Sequence, residues 1–266
     1  MIRFAGPRDT AAIRALWEAC FPDEGGFNDY FFAHHFALSN TLLSVEEGAL
    51  CAMVQMLPYR LETGGGEAEI TYIYGACTDP AHRRQGHMAR LLARSFALDR
   101  QAGRAASALI PAEPWLFGFY EPFGYAPFFH VDRREICRQG SGVPPRRLTA
   151  SDIPHLAALY DALTPACRIA RDEGYWRGQL ALFDALGAGA YGWFDGGKMT
   201  AYAFCWADNA QEALGLTASQ EQGLLETLGR ERLAVTACGQ GSALGCIKWH
   251  EEGTHAPFGY MNLMLN

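Results

Sequence analysis

No stretch of the sequence approaches eighteen uncharged apolar residues, so no membrane-spanning helix is expected. The opening residues, MIRFAGPRDT, carry neither an apolar core nor a small-residue cleavage pattern, and no secretory signal is read from them. The 8 cysteines form no CxxC pair, which gives no basis for structural zinc. Several lie in apolar runs, where reduced cysteine acts as a small hydrophobe, and a reducing, cytoplasmic setting is expected. His250 and His255 stand in HEEGTH rather than HExxH, so no metal is expected there either. Positive charge is scarce: 22 Lys and Arg against 29 Asp and Glu give a formal net charge of -7. Nucleic-acid binders are normally basic, so no nucleic-acid partner is expected. The acidic balance favours a cationic small one. Two nucleotide signatures are missing as well. No Gly-Lys-Ser/Thr run exists for a P-loop, and GQGSALG at 239–245 has the wrong spacing for a dinucleotide loop.

What the chain does contain is enough apolar material for a packed core, 49% hydrophobic against 19% charged, in a length that suits one large domain or two small ones. One composition break, RQGSGVPPR at 138–146, reads as a linker between domains at 1–137 and 147–266. The second part echoes the first. PRDTAAIRALWEACFP at 7–22 aligns with ASDIPHLAALYDALTP at 150–165 under a shift of 143, matching Asp9 to Asp152, Leu16 to Leu159 and Pro22 to Pro165. Both segments read as an acidic cap followed by an amphipathic helix, which points to a duplication.

In the first part, helices are expected at 9–20 and 28–38, and a strand pair at 42–47 and 50–58. A β-rich segment, EAEITYIYGAC, follows at 68–77, then a helix at 86–102 and a short buried strand at 105–110. A short helix at 114–121 and strands at 124–136 close it. In the second part, helices are expected at 152–163 and 172–186, and a hairpin at 189–207 turning on Asp195-Gly196-Gly197. A Ser219/Gln222 capping box opens a helix ending near 229, and strands follow near 232–238, 244–249 and 258–266.

The chemistry gathers at TDPAHRRQGHM, residues 78–88. A strand ends, Asp79-Pro80 turns the chain, Arg83 and Arg84 follow, and Gly86 precedes a helix. A helix start offers unpaired N–H groups and a positive dipole end. Glycine lets a ligand approach the backbone, and arginine forks onto phosphate oxygens. The segment therefore reads as a phosphate or pyrophosphate cradle. An ordinary loop with solvated arginines is the plainer alternative.

The run Arg83-Arg84-Gln85-Gly86-His87-Met88 resembles the R/Q-x-x-G-x-G/A signature of the GNAT (GCN5-related) N-acetyltransferase superfamily. Phe119-Tyr120-Glu-Pro-Phe-Gly124-Tyr125 resembles its FYexxGF segment. The resemblance covers about residues 1–135. It implies an α+β fold in α/β/α layers around a central, mostly antiparallel mixed sheet. It implies acetyl-CoA as co-substrate, held by backbone groups of Ala76, Cys77 and Thr78 along the pantetheine arm and by Arg83, Arg84, Gln85, Gly86, His87 and Met88 at the pyrophosphate. Met88 departs from the small residue usual at that place. Tyr120 would protonate the leaving thiolate; packing as a core aromatic is its other reading. No base is readable directly, and Asp29, His34, His35 and Glu69 are the candidates, with one packed and one solvated histidine as the plainer reading of His34-His35.

The whole chain resembles tandem GNAT proteins of the enhanced-intracellular-survival type. That implies a second, degenerate GNAT-like domain, because ALGLTASQEQGLLETLG has no R-x-x-G run and puts Glu221 where positive charge would be wanted. A sterol-carrier-like domain is the alternative for 147–266. In that family the terminal carboxylate acts as base, which here would be that of Asn266. The expected activity is acetyl transfer to a primary amine of a small molecule or a peptide. A non-catalytic acyl-CoA binder is the alternative, and a homo-oligomer is left open.

Overall fold

The computed structural model describes residues 1–23, 25–253 and 255–265. In chain order the first elements are β1 (Ile2–Phe4), α1 (Thr10–Cys20), α2 (Phe27–His34), β2 (Thr41–Glu46), β3 (Ala49–Thr63), β4 (Gly66–Thr78), α3 (His87–Gln101), β5 (Ala106–Leu109), α4 (Leu116–Tyr120) and β6 (Ala126–Cys137). Then come β7 (Arg146–Arg147), α5 (Ile153–Leu163), β8 (Arg168–Ile169), α6 (Glu173–Ala185), β9 (Gly189–Asp195), β10 (Lys198–Trp206), β11 (Asn209–Leu214), α7 (Ala218–Leu228), β12 (Arg232–Cys238) and β13 (Ser242–Trp249). The chain divides into two compact units, residues 1–128 with 245–255, and residues 129–244 with 256–266. Among the described residues no helix is long and apolar enough to cross a membrane.

In the first unit the strands run β1-β2-β3-β4-β5-β13, antiparallel except for the parallel pair β4/β5. Neighbouring residues of β4 point to opposite faces. Tyr74 meets Trp17 of α1, with ring centroids 5.6 Å apart, whereas Ile73 packs with Leu91 and Leu92 of α3. Helices therefore cover both faces, the α/β/α layering. The expected 28–38 helix is shorter: after His34 the chain leaves the helix and re-forms a single turn at Leu38–Asn40.

Two features of β4 position the site. Met53 pairs with Cys77 and Gln55 with Tyr74, so Val54 faces both Gly75 and Ala76 across a β-bulge. Gly75 sits at φ +54, and a Cβ there would lie 2.2 Å from the Trp17 ring, so glycine alone fits. The ladder of β4 with β5 runs only from Ile70–Ala106 to Tyr72–Ala108, while β4 continues to Thr78 paired with β3. Beyond the bulge the β5-facing edge of β4 is open among the described pairings.

In the second unit the order is β7-β9-β10-β11-β12-β6, again antiparallel except for one parallel pair, β11/β12. This repeats the directions of the first unit, so the second unit repeats the fold of the first. The internal match is also chemical. Asp9 forks onto Arg3 at 2.6 and 2.8 Å and accepts from the Gly6 amide at 2.7 Å. Asp152 forks onto Arg146 at 2.9 and 2.6 Å and accepts from the Thr149 amide at 2.9 Å. Hydrogen bonds from the arginine, first, and from the backbone hold each carboxyl down to about 2. Neither aspartate caps its α-helix by side chain; each closes the turn before it.

Three local expectations are corrected. The box that opens α7 is Thr217/Gln220, because Ser219 and Gln222 already lie inside the helix. Gln222 instead accepts from the Gln139 amide at 2.6 Å, and Val143 N–H donates to Ser219 O at 3.0 Å, so the Gly/Pro-rich stretch is tied to α7. The end of the chain forms isolated bridges at Gly259 and Tyr260 rather than a strand, though Tyr260 to Leu265 are buried.

Candidate active site

The open edge of β4 leads directly into the arginine–glycine loop. Asp79 turns the chain by accepting from the Ala81 amide at 2.8 Å. Arg84 sits at φ +63 and Gly86 at φ +78, and α3 starts at His87 with no side-chain cap. The first intrahelical bond is from Arg90 N–H to Gly86 O at 3.1 Å, so the amides of His87, Met88 and Ala89 have no helical acceptor. Arg83, Arg84, Gln85 and Gly86 are exposed. The loop is thus an unpaired set of N–H donors with guanidinium groups around it, able to take a multiply charged anion.

Met88 does not intrude. Its side chain packs inward against the cluster that holds Leu91, Leu92 and Val54. His87 is 2% exposed, and burial, then the charge of Arg90, keeps its imidazole below its usual pKa. Two contributors escape sequence reading. Arg90, one turn into α3, reaches back to donate to Gln85 O at 3.0 Å, adding a cation at the helix start. A basic residue four places after Gly86 is the signal that could have found it. Cys20, at the end of α1, is hydrogen-bonded to Cys77, and that bond, helped by Arg83, holds its thiol down to about 6. The same bond, with burial, pushes the Cys77 thiol up.

Tyr120 ends α4 and is 7% exposed, in the same cluster as Leu109 at the end of β5 and Cys246 of β13, a cluster against which Ala76 also packs. Burial pushes its phenol up to about 12. None of the side-chain base candidates belongs to the cluster that holds Tyr120. Asp29 pairs with Arg14, and Glu69 stands eight residues before Cys77, about 26 Å along the strand. His34 is exposed and tilted against Tyr30, and half-buried His35 is held below its usual pKa by burial. Asn266 lies outside the described residues.

The second repeat lacks this arrangement. Its corresponding helix, α7, is closed by the Thr217/Gln220 box, and Glu221 in its first turn pairs with Arg134. The bulge in β11 is also occupied: Asn262 Nδ2 donates to Gln211 O at 2.8 Å.

Comparison with known proteins agrees with this division. The family described as an acetyltransferase (GNAT) domain matches residues 1–128. Residues 1–128 are thus a GNAT-type domain. An uncharacterized N-acetyltransferase of Streptomyces griseus is 27% identical over 194 residues, covering 66% of this chain and 46% of the relative. The chain thus spans about half the length of the curated relatives it matches. Two solved structures share its fold across both repeats. A probable N-acyltransferase from Enterococcus faecalis V583 has a TM-score of 0.72 at 15% identity, covering 94% of this chain and 73% of its own. Eis1 from Mycobacterium abscessus has a TM-score of 0.62 at 15% identity, covering 94% and 74%. The GNAT domain follows from the family match to residues 1–128, and the two solved structures share the fold over 94% of the chain.

Proposed function

We propose that this GNAT protein is an acetyl-CoA-dependent N-acetyltransferase acting on a primary amine. The observation that carries the reading is the run from the open β4 edge at Gly75–Thr78 into the uncapped start of α3 at Gly86. The β4 edge supplies backbone groups for an extended amide-bearing arm, and the loop supplies N–H donors for a pyrophosphate. Ala76, Cys77 and Thr78 take the arm, and Arg83 to Met88 take the phosphates. The amine nitrogen attacks the thioester carbonyl and forms the C–N bond. Backbone N–H groups near Cys77 and Thr78 steady the oxyanion. As the C–S bond breaks, Tyr120 donates its proton to the thiolate. The non-catalytic reading drew on Met88 and on the lack of a visible base; the inward packing of Met88 weakens the first of these grounds.

Calorimetric titration tests the proposal. Wild type is expected to bind acetyl-CoA at micromolar Kd. Gly86→Glu, which puts a carboxylate where the anion sits and strains a residue at φ +78, is expected to lose about 100-fold or more. A folded wild type that does not bind overturns the reading.

The resemblance alone assigns the base to the Asn266 carboxylate. The residues before it are held within the second repeat, where Tyr175 donates to Leu263 O at 2.6 Å and Gln179 to the same oxygen at 2.9 Å. Adding a short C-terminal extension is expected to lower kcat about 100-fold with acetyl-CoA binding kept. Unchanged turnover would remove Asn266 from the mechanism.

A further inference from the structure

We propose that Glu46, Cys51 and His87 form a site for a zinc-class divalent cation, with three protein ligands and a fourth position open to water. Glu46 ends β2, Cys51 lies near the start of β3 and His87 opens α3, so three elements converge there. Their donor atoms all lie within 4.8 Å of one another. His87 Nε2 is 3.5 Å from Glu46 Oε2. Zinc bonded to nitrogen and oxygen at tetrahedral angles holds those two atoms about 3.3–3.5 Å apart, so the pair is already at ligand spacing. The same separation is long for a hydrogen bond, and Nε2 is buried without a hydrogen-bond partner. This unsatisfied ring nitrogen, on a side chain that is 1% exposed, is the feature that asks for a ligand.

Local backbone chemistry puts Cys51 there. Ser44 pairs with Ala52 and Val45 with Leu50, so Cys51 is the extra residue of a β-bulge. Bulges re-aim side chains, and this one brings a fully buried thiol toward the carboxylate and the imidazole. A thiolate, an imidazole and one carboxylate suit zinc rather than magnesium or calcium.

The other ring nitrogen sets the proton balance. Arg90 Nη2 lies 3.0 Å from His87 Nδ1 and can only donate, so without an ion Nδ1 accepts and the proton is on Nε2. Ion binding moves that proton to Nδ1, where Ser44 Oγ at 2.9 Å accepts it, and exposed Arg90 swings away. Cys51 gives up its thiol proton to solvent, one proton released per ion. The ion would join the β2–β3 hairpin to the start of α3, and it frees Arg90 toward the anion loop.

The full chain, stripped of metal, should be titrated with Co²⁺ and then with Zn²⁺. One equivalent of Co²⁺ is expected to give a thiolate charge-transfer band with four-coordinate visible bands, both removed by Zn²⁺. Cys51→Ser is expected to abolish the charge-transfer band, and Glu46→Gln, an exposed and fold-neutral change, to weaken Co²⁺ binding at least tenfold. Circular dichroism checks that each variant is folded. No band in folded wild type, or a band unchanged in both variants, overturns the proposal.

Discussion

Tyr120→Phe is expected to lower kcat about 10²- to 10⁴-fold, the usual contribution of a positioned general acid, with acetyl-CoA affinity changed no more than about twofold. The substitution deletes one oxygen. The ring keeps its edge contacts with Phe119 and Tyr125, at centroid distances of 5.1 and 5.7 Å, so the cluster around Leu109 and Cys246 stays filled. The environment suits an acid. Burial, with Cys246 beside it, pushes the phenol up to about 12, so Tyr120 keeps its proton throughout the neutral and mildly alkaline range. A kcat–pH profile of the wild type should therefore show no fall assignable to Tyr120 below about pH 10. Single-turnover kinetics beside calorimetry separates the two readings of this residue. Unchanged turnover in the variant would leave Tyr120 a core aromatic and remove it from the chemistry.

The parts of the site legible in sequence are those governed by local rules. The strand end, the Asp79-Pro80 turn and Gly86 before an amphipathic stretch locate α3 and its free amides, because turn chemistry and helix termini depend on a few adjacent residues. The duplication is legible for a similar reason, since the shift of 143 carries Asp9 onto Asp152. The same shift carries Arg3 onto Arg146 and Gly6 onto Thr149, the groups these aspartates actually bind. Those partners lie outside the segments that align most clearly, so the aspartates read as helix caps. Met88 illustrates the opposite limit. Its type alone departs from the small residue usual there, but its direction is set by packing against the cluster that holds Val54 and Leu92, which no single-segment pattern contains. The contact of Cys20 with Cys77 and the bulge that turns Cys51 toward His87 depend likewise on strand register and helix docking. The final residues read as a strand because they are apolar, yet they are buried by side-chain donors rather than by a ladder.

Those donors carry the largest stability effect expected in the second repeat. Arg171→Leu is expected to cost about 3–5 kcal/mol in urea unfolding, because it strands a buried charge. Arg171 and Glu212 are both 0% exposed in their side chains and meet through two bonds of 2.6 and 2.8 Å. Tyr202 and Tyr260 each donate to Glu212 at 2.7 Å, and the Tyr160 ring lies 4.0 Å from the Arg171 guanidinium. Burial alone would disfavour charge on Arg171, but the facing carboxylate outweighs it and holds its pKa well above the usual value. Arg171 also donates to Asn262 O at 2.8 Å, so the network grips the end of the chain. That grip holds an uncomfortable backbone: Leu263 and Leu265 sit at φ +52 and +82, a region that leucine occupies only when its surroundings enforce it. Removing Arg171 should therefore also speed amide exchange at Met261 to Leu265 more than in β10. The double change Arg171→Met with Glu212→Leu is the discriminating control. It removes both charges together and should recover part of the lost stability, since a buried pair is costly to break and cheap to replace, while the Tyr202 and Tyr260 hydroxyls lose their shared acceptor. Recovery of stability with exchange at Met261 to Leu265 still fast would separate two roles of the network. The ion pair would then matter little to the net stability of the repeat, while the bond from Arg171 to Asn262 O would be what holds the terminal segment.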